Sequence, residues 1–226
     1  MENNFYAIQV TSTWQGEGVD TGKRVLMIRF KRCNRVDFNY PCPFCDTKVL
    51  ASNSIESSYS IEQMQEIIKI HNIGLLITGG EPTYGINLDY TNNILKNLEF
   101  PFADIETNGY DLEKLIDNNK DSDKEIHYIF SPKIFNKDDL EFNKKLTLKI
   151  KDNKNVFIKL VYLPSKLILK YLSFLKDINF DNNRIYLMPE GKTRDELLKN
   201  SEEVFDMAEK YNCNFSSRDH IIYNFI

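Results

Sequence analysis

Gly74-Leu75-Leu76-Ile77-Thr78-Gly79-Gly80-Glu81-Pro82 decides the architecture. Its apolar run is too short for a helix and does not alternate with polar residues. It therefore reads as a strand covered on both faces. Two glycines and a proline then end it in a tight turn. Upstream, Ser60–His71 (SIEQMQEIIKIH) places Ile61, Met64, Ile67, Ile68 and His71 on one helical face, with Ser60 at the N-cap position. Downstream, Asp89–Leu98 reads as a second helix. Helix, buried strand, turn and helix in succession are the repeating unit of a parallel sheet.

The same alternation runs outward in both directions. Strand-like runs recur at Val25–Phe30, Phe102–Thr107, Ile126–Ser131, Val156–Tyr162, Arg184–Met188 and His220–Phe225. Helix-like stretches occupy Asp111–Asn118, Ser165–Lys176 and Thr193–Tyr211, the last with capping-box spacing from Thr193 to Glu196. The charged segment Asn136–Lys154 is compatible with a short helix or a surface excursion. The expected class is α/β: a partial, open β/α barrel of about six parallel strands, because six or seven units are fewer than the eight of a closed barrel. A doubly wound sheet lacks its GxGxxG fingerprint here. With no composition break, residues 1–226 read as a single domain, with an N-terminal segment and an extended loop at 31–47.

Composition narrows the function. The 226 residues carry 33 acidic and 29 basic side chains, a net charge of −4, which does not suit unspecific nucleic-acid binding. No apolar run approaches the ~18 residues of a membrane helix. The N-terminus lacks a secretory pattern, so a cytoplasmic location is expected. Four cysteines are too few for a disulfide scaffold.

Three of those four lie together, Cys33, Cys42 and Cys45, directly after the Val25–Phe30 strand. Three thiolates on one loop can hold three irons of a [4Fe–4S] cluster, leaving the fourth iron open. Zinc is the rival, with Cys213, His71, His127 or His220 as fourth ligand; a reduced trio without metal is the plain alternative. Gly79-Gly80-Glu81-Pro82 follows the next strand. Its glycines allow close backbone approach, and Glu81 offers a carboxylate to a cationic group. Asn108-Gly109, Pro132-Lys133 and Pro189-Glu190-Gly191 likewise follow strands. All five special segments are thus expected at strand C-termini, where β/α folds place their chemistry.

These motifs together resemble the radical S-adenosylmethionine (SAM) superfamily. Cys42-Pro43-Phe44-Cys45 matches the second half of the family's Cys-x3-Cys-x-aromatic-Cys loop, whereas Asn34–Pro41 puts eight residues where the family has three. Within the superfamily the chain resembles the 7-carboxy-7-deazaguanine synthases. It does so through Trp14-Gln15-Gly16-Glu17-Gly18 with Thr21-Gly22, Arg29 four residues before the first cysteine, and Cys45-Asp46-Thr47. Thr78-Gly79-Gly80-Glu81-Pro82, Glu106-Thr107-Asn108-Gly109, Ser131-Pro132-Lys133 and Met188-Pro189-Glu190-Gly191 continue the set in order. Near the C-terminus Arg218 and His220 are kept from the family's Arg-Leu-His strand, while its Trp-Gly is replaced.

The resemblance implies roles. Cys33, Cys42 and Cys45 would ligate a [4Fe–4S] cluster whose open iron takes the amino and carboxylate groups of SAM. Phe44 would lie near the adenine, and Gly80 and Glu81 would meet the ammonium. Thr107, Asn108, Ser131, Pro132, Lys133, Met188, Pro189, Glu190 and Gly191 would line the rest of SAM. Trp14, Gln15, Gly16, Glu17, Arg29 and Thr78 would hold 6-carboxy-5,6,7,8-tetrahydropterin, with Arg29 paired to its carboxylate. Thr47 would ligate Mg²⁺. The activity implied is a radical SAM carbon–nitrogen lyase of queuosine and deazapurine biosynthesis. It would be a homodimer fed by an external electron donor such as a flavodoxin-type protein, with no direct contact to nucleic acid or membrane. The alternatives are a glycyl-radical enzyme activase acting on a protein partner, and a non-enzymatic zinc-binding module.

Overall fold

The computed structural model describes residues 4–45 and 54–225. The chain forms two compact units, one of residues up to 15 and 22–128, the other of residues 16–21 and 129–226.

The first unit is built on strands β2 (Gln9–Trp14), β3 (Arg24–Arg29), β5 (Gly74–Thr78), β6 (Ala103–Thr107) and the start of β7 (Ile126–Phe130), in the order β2-β3-β5-β6-β7. β3, β5 and β6 run parallel, with Arg29 opposite Thr78 and Leu75 opposite Ala103. β2 is an antiparallel edge, pairing Gln9 with Arg29 and Trp14 with Arg24. A separate antiparallel ribbon pairs β1 (Asn4–Ala7) with β4 (Ser57–Ser60). The central strands are apolar almost throughout, and Val25, Ile28, Leu75, Ile77 and Ile105 are fully buried. That is the signature of a sheet covered on both faces. The helices are α1 (Asn34–Asp37), α2 (Ile61–His71), α3 (Ile86–Asn97) and α4 (Leu112–Asn118). Ser60 and Gln63 close the capping box that starts α2, and Asn72 ends it in the left-handed conformation.

The second unit continues from the end of β7 through α5 (Lys137–Ile150), β8 (Val156–Tyr162), α6 (Lys166–Asp177), β9 (Ile185–Pro189), α7 (Arg194–Tyr211), β10 (Asn214–Phe215) and α8 (Asp219–Tyr223). Its strand order is β7-β8-β9-β10, with β8, β9 and β10 parallel. The undecided segment Asn136–Lys154 is a helix, capped by the Asn136 side chain and buried along Leu140, Leu146 and Ile150. The capping box at Thr193 is present. His220–Phe225, expected as a strand, is instead the short helix α8. The amides of Ile221 and Ile222 both bond to the Arg218 carbonyl, which coils the segment despite its β-branched residues. Among the described residues no helix is long and apolar enough to cross a membrane.

Candidate active site

In the first unit the cysteine loop leaves β3 through Phe30-Lys31-Arg32. Cys33 caps α1, its carbonyl accepting from the amides of Val36 (3.1 Å) and Asp37 (3.0 Å). The eight residues between Cys33 and Cys42 are thus a helical turn followed by a left-handed Asn39. Phe38 anchors this insert, its ring 5.8 Å from that of Tyr84 and 6.0 Å from that of Tyr110. Cys45 turns back to bond the Cys42 carbonyl at 3.2 Å. All three are half-buried and none is in a disulfide. Burial, and after it the Glu81 carboxylate, push the Cys33 thiol up to about 11. Thr47, expected on Mg²⁺, lies outside the described residues.

The glycine turn after β5 supports this loop from beneath. The Glu81 amide bonds the Arg32 carbonyl at 2.7 Å, and Asn87 Nδ2 donates to the same oxygen at 3.0 Å. Glu81, expected to offer its carboxylate to a ligand, is only 1% exposed. Oε1 accepts from the Thr83 amide (3.2 Å), Thr83 Oγ1 (2.7 Å) and Thr107 Oγ1 (2.6 Å), while Oε2 accepts from the Asn108 amide (2.6 Å). Burial pushes its pKa upward and these hydrogen bonds oppose that. Glu81 thereby ties the turns after β5 and β6 together. Asn108 Nδ2 extends the tie to the cysteine loop, donating to Asn34 Oδ1 at 2.8 Å.

The residues expected around a second ligand divide along β3. Arg29 and Thr78 stand side by side at the C-terminal ends of β3 and β5, and Arg29 Nε donates to Gln9 Oε1 at 3.3 Å. Trp14, half-exposed, faces Arg24 at the other end of β3, five residues or about 17 Å away. Next to it Gln15 is buried, its Nε2 donating to Asp104 Oδ2 at 2.7 Å. His127 Nδ1 lies 3.2 Å from the other Asp104 oxygen.

In the second unit the segment Gly16-Glu17-Gly18 is bound to the C-terminal residues. The Asp219 amide bonds the Gly16 carbonyl (2.9 Å), and the Gly18 amide bonds Ser216 Oγ (2.8 Å). A side chain at Gly16 would collide with His220, whose Nδ1 lies 2.7 Å from the position of a Cβ. Glu17 is buried; Lys159 Nζ lies 2.5 Å from its Oε2 and Arg218 Nε 2.9 Å from its Oε1. Burial alone would raise the Glu17 carboxyl, but Lys159, Arg218 and His220 together hold it well below the usual carboxylate range. Arg218 Nη1 also donates to the Gly191 carbonyl at 2.8 Å. It thereby joins Glu17 to the Met188-Pro189-Glu190-Gly191 turn, where Asn200 holds the Glu190 carbonyl at 2.7 Å. After β7, Lys133 Nζ donates to Ser131 Oγ at 2.7 Å. Pro132, between them, is buried.

Sequence reasoning did not single out Lys159 or Asp104. The available signal for Lys159 was a lone charge in the buried run Val156–Tyr162 (VFIKLVY). Asp104 was likewise the one acid in the first half of an apolar strand.

No protein-family model matches the chain. Part of it is 34% identical to a protein of Haemophilus influenzae named 7-carboxy-7-deazaguanine synthase. That match runs over 109 residues, 48% of this chain and about half, 47%, of the relative. A protein of the same name from Hyperthermus butylicus is 24% identical over 223 residues, 95% of this chain and 91% of the relative. Among solved structures, QueE from Escherichia coli superposes with a TM-score of 0.56 and 19% identity, covering 96% of this chain and 95% of that one. Streptococcus suis SuiB, solved bound to S-adenosylmethionine, gives a TM-score of 0.58 and 17% identity over 85% of this chain and 49% of its own. The expected fold, an α/β partial barrel on a mostly parallel sheet, is the fold of these proteins.

Proposed function

We propose that the chain is a radical SAM lyase that converts 6-carboxy-5,6,7,8-tetrahydropterin to 7-carboxy-7-deazaguanine with loss of ammonia. One observation carries the reading: three half-buried cysteines, none in a disulfide, on the loop after β3, bonded at its base to the glycine turn of Glu81. The chain bearing it also resembles a 7-carboxy-7-deazaguanine synthase over 95% of its length.

The donor set fits an iron–sulfur cluster. Sulfur ligands are soft, and no disulfide consumes them. A thiol pushed up to about 11 needs an adjacent cation to become a thiolate at neutral pH, which bound iron supplies. Cys33, Cys42 and Cys45 would hold the cluster. When bound, it supplies the single electron that cleaves SAM reductively, delivered by an external one-electron donor.

The chain's own residues orient and enclose the reactants. The Gly79 and Gly80 carbonyls of the turn would accept from the SAM ammonium, while the Glu81 carboxylate fixes that turn's shape through Thr83, Thr107 and Asn108. Phe44, Ser131, Pro132, Lys133 and Met188–Gly191 would contact the remainder of SAM. Arg29 would take the pterin carboxylate, with Thr78 beside it. Gln15, beyond the opposite end of β3, would read the amide edge. Glu17 is held ionised and can accept from the pterin amino group. Thr47 would serve Mg²⁺ through its hydroxyl, a hard oxygen ligand. Homodimerisation and a cytoplasmic setting belong to the same reading.

The test is anaerobic reconstitution followed by product mass spectrometry. The protein should retain about four irons per chain and form carboxydeazaguanine only when SAM, reductant and the tetrahydropterin are all supplied. SAM cleavage with the pterin untouched would refute the substrate assignment. A colourless protein holding one zinc and no sulfide would refute the enzyme.

A further inference from the structure

We infer that Lys159 is a positioning residue for the substrate: its ammonium sets the Glu17 carboxylate in the orientation from which it accepts the pterin amino group. The inference rests on the pterin reading above. Lys159 sits in mid-strand on β8 between buried Ile158 and Leu160 and is only 2% exposed. An ammonium there is desolvated at a cost that an apolar side chain of similar volume would avoid, so packing does not account for it. Nor is it needed to hold the neighbouring backbone. Asp219 and Ser216 already bind Gly16 and Gly18 on either side of Glu17. What Lys159 adds is specific to the side chain: it binds Oε2, while Arg218 binds Oε1 from a different element. Held from two directions by these cations, with His220 Nε2 3.8 Å from Oε1, the carboxylate is restricted in orientation. A carboxylate offers about four acceptor sites, so it can be oriented by protein donors and still accept from a ligand.

The experiment uses 6-carboxypterin, a fluorescent oxidised analogue that cannot react, titrated into the full-length chain, alongside steady-state turnover of the tetrahydropterin. Lys159→Met should weaken 6-carboxypterin binding and raise KM by about tenfold, as for a misplaced hydrogen-bonding partner. Turnover number, iron content and pterin-independent SAM cleavage should be retained. Because Lys159 acts through Glu17, adding Lys159→Met to Glu17→Gln should change affinity by less than about twofold. An equal loss in both backgrounds, or none in either, overturns the inference. Should Lys159→Met alone fail to fold, Lys159→Arg keeps the cation but shifts the carboxylate: a raised KM with unchanged kcat supports the inference, and an unchanged KM overturns it. If the unsubstituted protein neither binds 6-carboxypterin nor turns over the tetrahydropterin, the pterin assignment falls and this inference with it. Normal binding that is indifferent to Lys159 defeats the inference alone.

Discussion

At Gly80 the backbone adopts φ +40°, and a Cβ built there would lie 2.2 Å from the Arg32 carbonyl oxygen. Both facts require glycine, and the contact is to backbone one residue before Cys33. Gly80→Ala therefore has to displace the root of the cysteine loop. We expect a stability loss of about 1–3 kcal/mol and reduced iron retention after reconstitution. Gly85→Ala is the control, since Gly85 has φ +56° with nothing within 4 Å of its Cβ position. It should lose stability from backbone strain alone and bind iron normally. Equal iron content in the two variants would contradict the argument. Glu17 gives a second residue-scale expectation, with a sign set by charge. Its folded-state pKa lies below the ordinary value of 4.5. Its contribution to stability is thus present in full above that value and fades as the pH falls from there toward the folded-state value. Glu17→Gln leaves Lys159 and Arg218 buried without their carboxylate, a cost of about 3–5 kcal/mol at neutral pH. The gap between wild type and variant should narrow in urea melts taken from roughly pH 7 to pH 3. A gap that stays constant across that range would remove the ionic explanation.

At the scale of elements, legibility followed burial. β3, β5, β8 and β9 announced themselves as apolar runs because both of their faces are covered, and Thr193–Glu196 and Ser60–Gln63 marked helix starts through backbone chemistry local to each segment. β2 did not. Gln9–Trp14 (QVTSTW) is a polar edge strand whose extended state comes from pairing with β3, and pairing leaves no apolar pattern. α5 was ambiguous because Asn143 and Thr147 are buried among its apolar residues; Asn143 donates to the Lys133 carbonyl at 3.1 Å and Thr147 to the Asn143 carbonyl at 2.7 Å. α8 reversed the expectation. Ile221, Ile222 and Tyr223 favour strand, but the turn begun at Arg218 left them no strand to join. The site divides along the same line. Cysteine spacing and the double glycine are local signals, legible at once. The Lys159 contact to Glu17 spans 142 positions, and a single lysine in a strand names no partner. Glu81 lay between these cases: its motif was legible, but its burial under Thr83, Thr107 and Asn108 was not.

Across the whole molecule, the proposed cluster loop and the Glu17 network belong to different compact units. In the first unit, the Glu81 amide ends on the Arg32 carbonyl and the Asn108 amide on the Glu81 carboxylate, so both depend on where the cysteine loop lies. In the second, the Gly18 amide ends on Ser216 and the Asp219 amide on Gly16. Removing iron by chelation should therefore act unevenly. Metal binding stabilises the conformation that presents its ligands, and its loss returns that free energy to local opening. Hydrogen exchange comparing reconstituted and chelated protein should speed up over Cys33–Cys45 and at Glu81 and Asn108. The amides of Gly18 and Asp219 should exchange at unchanged rates. An equal acceleration at all four amides would mean that the two networks open as one cooperative body. Unchanged exchange at Glu81 would mean that the glycine turn holds its shape without the loop above it, and that its bond to Arg32 follows the turn rather than the cysteines.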